Sequence, residues 1–304
     1  MKARLSEWRP LPIVLLWTLS TGISLAAASA PSPIQAARAE VQRLIAESGA
    51  DVAVAWRPLK PRRGEEILLN TKTRFHAAST MKLPVMIELF RQVDKKHLKL
   101  EDTLVVANQF KSIVDGSPYA LSDGSDSDDD MYKAIGQPMT LGDLCEHMIT
   151  KSSNLAANIL IETLGPKNIQ STANHLGGSG MHVLRGVEDQ KAFDKGLNNT
   201  TDATALLNLL TKIGRGEAVS RAASAGMIEV LKRQTFNDGI PSGLPVDTAV
   251  GHKTGTITGI HHDAAIVFAP RPYVLVVLVR GIRDQKVSAQ LMGDIARAVD
   301  GLAR

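Results

Sequence analysis

Ser79 and Lys82 are spaced i and i+3 in Ser79-Thr80-Met81-Lys82, just ahead of the apolar run Leu83-Pro84-Val85-Met86-Ile87-Glu88-Leu89-Phe90. A serine hydroxyl is a weak nucleophile at neutral pH. It needs a base within hydrogen-bond reach and donors for the oxyanion that forms on attack. If Ser79 opens a helix, Lys82 lies one turn on and on the same face. A run that is apolar all round predicts a helix buried in the middle of a domain. Burial lowers a lysine pKa, so the neutral amine becomes available as a base near pH 7. The free N–H groups of a helix start favour the developing negative charge. Pro84 fits because it falls near that start. A serine-x-x-lysine pattern by itself also describes an exposed helix start, but here it occurs once, in an apolar stretch where a solvated lysine is out of place.

Two further tracts supply complementary groups. In Met148 to Leu160, the polar residues Lys151-Ser152-Ser153-Asn154 interrupt the segment before an apolar helix resumes. Ser152 is suited to relay a proton to a leaving nitrogen, and Asn154 to bond both a substrate amide and the Lys82 amine. Taken alone, the tract also reads as a helix N-cap with Asn158 packing locally. Later, Val250 to Gly259 reads as a strand, expected from Thr248 to His252, followed by a hydroxyl-rich turn containing Lys253-Thr254-Gly255-Thr256. Lys253 and Thr254 suit a substrate carboxylate, and Gly255 leaves room for a substrate amide along the strand. The Thr256 N–H would join that of Ser79 as an oxyanion hole.

These three tracts, in this order, resemble the class A β-lactamases and related penicillin-recognising serine enzymes, and the resemblance runs from about Ala37 to the C-terminus. It implies a β-lactam, or a peptidoglycan peptide, as substrate. Asn158 matches a further family asparagine. Ser153 stands where the family has a structural aspartate, which puts the local hydrogen bonding in question. The family removes its acyl group with a glutamate on an omega loop followed by leucine and asparagine. Glu188, in Val183 to Phe193, is the matching candidate, but no Leu-Asn pair follows it directly. Leu197-Asn198-Asn199 is the remaining source of such an amide. Three outcomes stay open: a hydrolase that turns over, a D-Ala-D-Ala peptidase or esterase, and a sensor that stays acylated.

The elements that must position these residues divide into strands at both ends and helices between. A helix is expected over Ile34 to Ser48, strands over 52–56, 66–70, 264–268 and 273–280, and a closing helix from Val287 to Leu302. This pattern predicts an α+β fold: one antiparallel sheet built from both termini, flanked by helices, with a helical lobe over about 79–214 inserted between. The resemblance implies the same arrangement, with the site at the seam. Residues 31–304 would form the catalytic domain.

Lys2, Arg4 and Arg9 precede an apolar run from Leu11 to Leu25 and the small residues Ala26 to Ala30. This is the pattern of a secretory signal over 1–30, cleaved near 28–30, with membrane contact only during export. The alternative, a membrane anchor, would need a longer run. The protein is therefore expected to be secreted or periplasmic, and monomeric. The formal net charge of +4 falls to about +2 after cleavage, too little to argue for nucleic acid. The single cysteine, Cys145, excludes an internal disulfide and reads as a buried helix thiol. No cofactor or metal is expected. The acidic tract Asp123, Asp126, Asp128, Asp129 and Asp130 lacks calcium-loop spacing and reads as a solvated loop. His252, His261, His262 and Asp263 lack zinc-ligand spacing and read as strand-edge residues.

Overall fold

The segments expected at the two chain ends meet in one sheet. In the computed structural model, which describes residues 30–304, its strands are β1 (Asp51–Pro58), β2 (Ile67–Leu69), β3 (Val250–Ile257), β4 (Ile260–Val267) and β5 (Tyr273–Arg280). All neighbours are antiparallel, in the order β2-β1-β5-β4-β3. Residues 1–29 of the expected export signal lie outside the described residues. Among those described, no helix is long and apolar enough to cross a membrane.

β5 reads Tyr-Val-Leu-Val-Val-Leu-Val-Arg, apolar at every alternation, which suits a central strand covered on both faces. Val52, Val54, Trp56, Leu275, Val277 and Val279 face one layer, formed with helices Pro33–Ser48 and Gln285–Asp300. Ala53, Ala55, Ala264, Val274, Val276 and Leu278 belong to the other layer, where helix Ala203–Gly214 lies across the sheet. Small alanines on that face let the helix approach closely.

Between β2 and β3 the chain is mostly helical. Helix Lys82–Asp94 is its centre: every residue from Lys82 to Phe90 is buried, against helices Leu141–Thr150, Asn154–Leu164, Pro166–His175 and Arg221–Lys232. Pro84 is its third residue, where an N–H would have no partner within the helix. Glu88, buried in the same run, accepts from Arg91, Thr172 and Gln92, so its charge is compensated where it stands.

The strand expected from Thr248 to His252 in fact begins at Val250 and continues to Ile257. Lys253 to Thr256 therefore belong to the strand and not to a following turn. They pair in register with Ala264, Asp263, His262 and His261 of β4, which holds this tract straight. The chain reverses after it at Thr258-Gly259, with Gly259 at φ +70°.

Candidate active site

Ser79 lies one turn ahead of the helix it was expected to open, in a 3₁₀ turn over Ala78–Met81. Strand Phe75–His76, paired with Thr200–Thr201, delivers the chain to this point. The turn is held tightly: Ala77 N donates to Asn199 O at 2.9 Å, and Ala78 N to His76 Nδ1 at 3.0 Å. Ala78 has φ +44°, a conformation that costs an alanine energy and persists because these bonds enforce it.

Lys82, the first residue of the helix, is 0% exposed. Its amine donates to Asn154 Oδ1 at 2.8 Å and to the Ser152 carbonyl, with the Ser152 hydroxyl at 3.4 Å. The amine thus spends its bonds on the 152–154 turn; among the described residues no hydrogen bond joins it to the Ser79 hydroxyl. Burial lowers its pKa to about 7, opposed by the negative charges of Asp126 and Glu188.

Ser152 is not a helix cap. Ser153 is, with its hydroxyl accepting from Ala156 N at 3.2 Å, and this frees Ser152, at φ +59°, to face the cavity. The Ser152 hydroxyl accepts from Lys253 Nζ at 2.9 Å, so it lies between two fully buried lysines. Burial, reinforced by the Lys82 charge, pushes the Lys253 pKa well below its usual range.

Gly255 also packs against the turn that carries Ser79. A Cβ built there would lie 3.0 Å from Thr80 N and 3.1 Å from Ser79 N, so β3 runs directly against the Ser79 turn. The missing side chain favours that approach, and Ser79 and Thr256 line the same cavity. Gly255→Ala is expected to push the two apart and lower kcat/KM by about a hundredfold, with near-wild-type thermal melting checked alongside.

The strand histidines are buried and bonded inward. His252 Nδ1 lies 2.9 Å from Asp263 Oδ1 and its Nε2 3.2 Å from Asn237 Oδ1. His262 Nδ1 accepts from Val279 N while its Nε2 donates to His76 O, and burial lowers its pKa to about 4. Asp263 also accepts from Ile240 N. These groups brace the strands behind Lys253 and Thr254. Cys145 is buried in helix Leu141–Thr150 with its thiol pKa raised to about 12.

Glu188 reaches the cavity from the loop that follows helix Pro166–His175. Asn158 pins that loop: its Oδ1 accepts from Val187 N at 2.7 Å and its Nδ2 donates to Val187 O at 3.1 Å. Gly186 packs so closely on this amide that a Cβ would lie 2.5 Å from Asn158 Oδ1. Glu188, at φ +61°, accepts from Asn154 Nδ2 at 3.0 Å and from Ser125 Oγ at 2.9 Å. Asn154 therefore bridges Lys82 and Glu188.

The amides of Asn198 and Asn199 are engaged elsewhere. Asn199 Oδ1 accepts from Leu184 N and Arg185 N while its Nδ2 donates to Arg185 O. Asn198 Oδ1 accepts from the Arg185 guanidinium. They staple the neck of the Glu188 loop.

The acidic tract is solvated only in part: Asp123, Asp129 and Asp130 are exposed, while Asp126 and Asp128 are drawn inward. Asp126 accepts from the backbone N–H of Asn154 and Leu155. Asp128 is 2% exposed and bonded to His147 and Lys151. These two are pulled in because the N–H groups that open helix Asn154–Leu164 and two basic side chains offer them partners.

Ser79, Ser152, Asn154, Glu188, Thr254 and Thr256 line one cavity of about 590 Å³. Sequence reasoning missed His76, Arg185 and Ser125, which line it as well. His76 precedes Ser79 by three residues but carries no motif, and Arg185 and Ser125 reach the cavity only through the folding of their loops.

A mixed α+β architecture with one serine in the turn that leads into a buried helix, and a second between two buried lysines, is that of a serine acyl-transfer enzyme. A family model described as the Beta-lactamase enzyme family matches residues 36–301, and this chain belongs to that family. The beta-lactamase of Citrobacter koseri is 25% identical over 290 residues, which cover 94% of this chain and 92% of that protein. The solved structure of an ancestral (GNCA) class A beta-lactamase superposes with TM-score 0.75 at 26% identity, covering 88% of this chain and 99% of that one. A structure of PBP-A shares the fold, with TM-score 0.73 at 23% identity over 88% of this chain and 95% of that one. The protein is accordingly a serine β-lactamase-like hydrolase.

Proposed function

We propose that this chain hydrolyses β-lactams through an acyl-enzyme on Ser79. Lys82, neutral over part of the physiological range, takes the Ser79 proton as the hydroxyl attacks the lactam carbonyl. The N–H groups of Ser79 and Thr256 receive the oxyanion. Ser152 passes a proton to the departing nitrogen, while Lys253 and Thr254 hold the substrate carboxylate against Gly255 and the rest of β3. Glu188 then activates the water that releases the product. The reading includes export to the periplasm or exterior, action as a monomer, and a catalytic domain over 31–304.

One observation carries it. The Ser152 hydroxyl sits between the Lys82 and Lys253 amines, and the Asn154 amide joins Lys82 to Glu188. Groups for acylation and for deacylation thereby share one hydrogen-bonded array.

A second reading, an enzyme or sensor that acylates and deacylates slowly, is favoured by one detail. The Asn198 and Asn199 amides are tied to the loop neck, and the bonds of the Glu188 carboxylate run to Asn154 and Ser125. A quenched time course of intact mass with a penicillin separates the readings. An adduct on Ser79 that fades while hydrolysed penicillin accumulates beyond one equivalent is expected. A lasting adduct without turnover would select the sensor, and turnover of D-Ala-D-Ala peptides would select the peptidase.

A further inference from the structure

The segment around Ser125 and Asp126 grips the array from outside. Asp126 accepts from Asn154 N at 2.9 Å and 3.0 Å, from Leu155 N at 2.9 Å and from the Ser153 hydroxyl at 3.3 Å. Its carboxylate thus sits on the N-terminus of helix Asn154–Leu164, where a negative charge and unpaired N–H groups attract one another. The neighbouring Ser125 hydroxyl donates to Glu188 Oε2 at 2.9 Å, and the Ser127 hydroxyl to Lys151 O at 2.6 Å. Asp128, buried against His147 and Lys151, anchors the segment to the end of helix Leu141–Thr150. Two adjacent residues therefore hold the bridge that Asn154 makes between Lys82 and Glu188, Asp126 at the Asn154 backbone and Ser125 at the Glu188 carboxylate.

We infer that Ser125 and Asp126 are positioning residues of the reaction. Asp126 fixes the backbone from which the Asn154 side chain projects and places a negative charge near Lys82, and Ser125 fixes the orientation of the Glu188 carboxylate. The inference rests on the proposed acyl-enzyme reading. It assigns a function to a tract whose composition suggests only a polar loop, and it explains how the site works with serine at 153.

The charged groups facing the Lys82 amine are Asp126, Glu188 and, from β3, Lys253. Asp126→Asn keeps an oxygen that can accept from the helix N–H groups, since asparagine caps as well as aspartate does, but removes the charge. Lys82 then becomes harder to protonate, and the acid limb of the acylation rate is expected to move about one pH unit toward acid. A residue that merely caps the helix would leave that limb where it is. Ser125→Ala removes one donor to a charged acceptor and is expected to slow deacylation about tenfold at unchanged acylation rate. Ser125→Thr, which keeps the hydroxyl, is expected to restore it.

The test measures acylation and deacylation separately, by quenched intact-mass kinetics with a penicillin, on wild type and on these three variants. Failure of the wild type to acquire any adduct on Ser79 would overturn the functional reading itself. If the wild type acylates, an unmoved acid limb in Asp126→Asn removes Asp126 from the array. Wild-type deacylation in Ser125→Ala removes Ser125. The two variants touch different bonds, so misfolding of one leaves the other decisive.

Discussion

Glu188→Gln is expected to leave Ser79 carrying a stable penicillin adduct, with deacylation slowed by roughly 10²- to 10⁴-fold, the range of a lost general base. The substitution is close to isosteric. Glutamine retains an oxygen that can accept from Asn154 Nδ2, as Glu188 Oε1 does at 3.0 Å, and Asn158 still holds the preceding residue, Val187, by both of its backbone groups. The loop and its left-handed backbone at position 188 are therefore preserved, and what is lost is the capacity to take a proton from water. Acylation, for which the proposed mechanism uses Lys82 and Ser152, is expected to proceed at close to the wild-type rate. Mass spectrometry of the quenched reaction reads both steps at once. Turnover at the wild-type rate in this variant would exclude Glu188 as the base and direct attention to Lys82 for both half-reactions.

Lys82→Met is expected to lower the acylation rate by about 10³-fold while making the protein harder to unfold. The two effects have one cause. The Lys82 amine is completely buried, and its pKa falls from 10.5 to about 7, so near neutral pH a large fraction is the free base that the proposed mechanism needs. In the unfolded chain the same amine holds its proton up to about pH 10.5. Between about pH 7 and 10.5 the unfolded state therefore binds more protons than the folded one, and stability from this group rises with pH across that window. Below about pH 7 the folded protein must bury a charge. Methionine fills the same volume without that cost. The melting temperature of the variant should exceed that of wild type by about 5 °C or more at pH 6, the gap narrowing toward pH 10. For the wild type, acylation should rise with pH through an inflection near 7. A pH-independent acylation rate from 5 to 9 would show that Lys82 is not the titrating base.

The chain's order of residues carried a good part of this. The three tracts around Ser79, Ser152 and Lys253 are readable because each sits against a strong local signal: a helix apolar on all sides, a polar break before another apolar helix, and a strand rich in β-branched residues. Those signals also led to one antiparallel sheet assembled from both ends of the chain, since apolar alternation at β1, β4 and β5 leaves few other ways to bury them. The strand carrying Lys253 extended further than expected because register with β4, which residues 250–257 alone do not encode, supplies its hydrogen bonds.

The role of the acidic tract shows the opposite case. Five aspartates among nine serine-, glycine- and aspartate-rich positions from Ser122 to Asp130 have every local mark of a solvated loop. Asp126 and Ser125 reach the site only because folding brings Asp126 to helix N–H groups 28 residues away and Ser125 to a carboxylate 63 residues away. Likewise, nothing near Gly255 announces the backbone of Ser79, and nothing near Asn199 announces the neck of the Glu188 loop. The sequence by itself determined which groups can do chemistry and which elements must be buried, because nucleophile spacing and apolar periodicity act over a few residues. Only the tertiary structure decided which partners hold those groups, how deeply the two lysines are desolvated, and that a distant aspartate, Asp126, binds the backbone of Asn154 and Leu155. Those properties depend on contacts between segments that are remote along the chain.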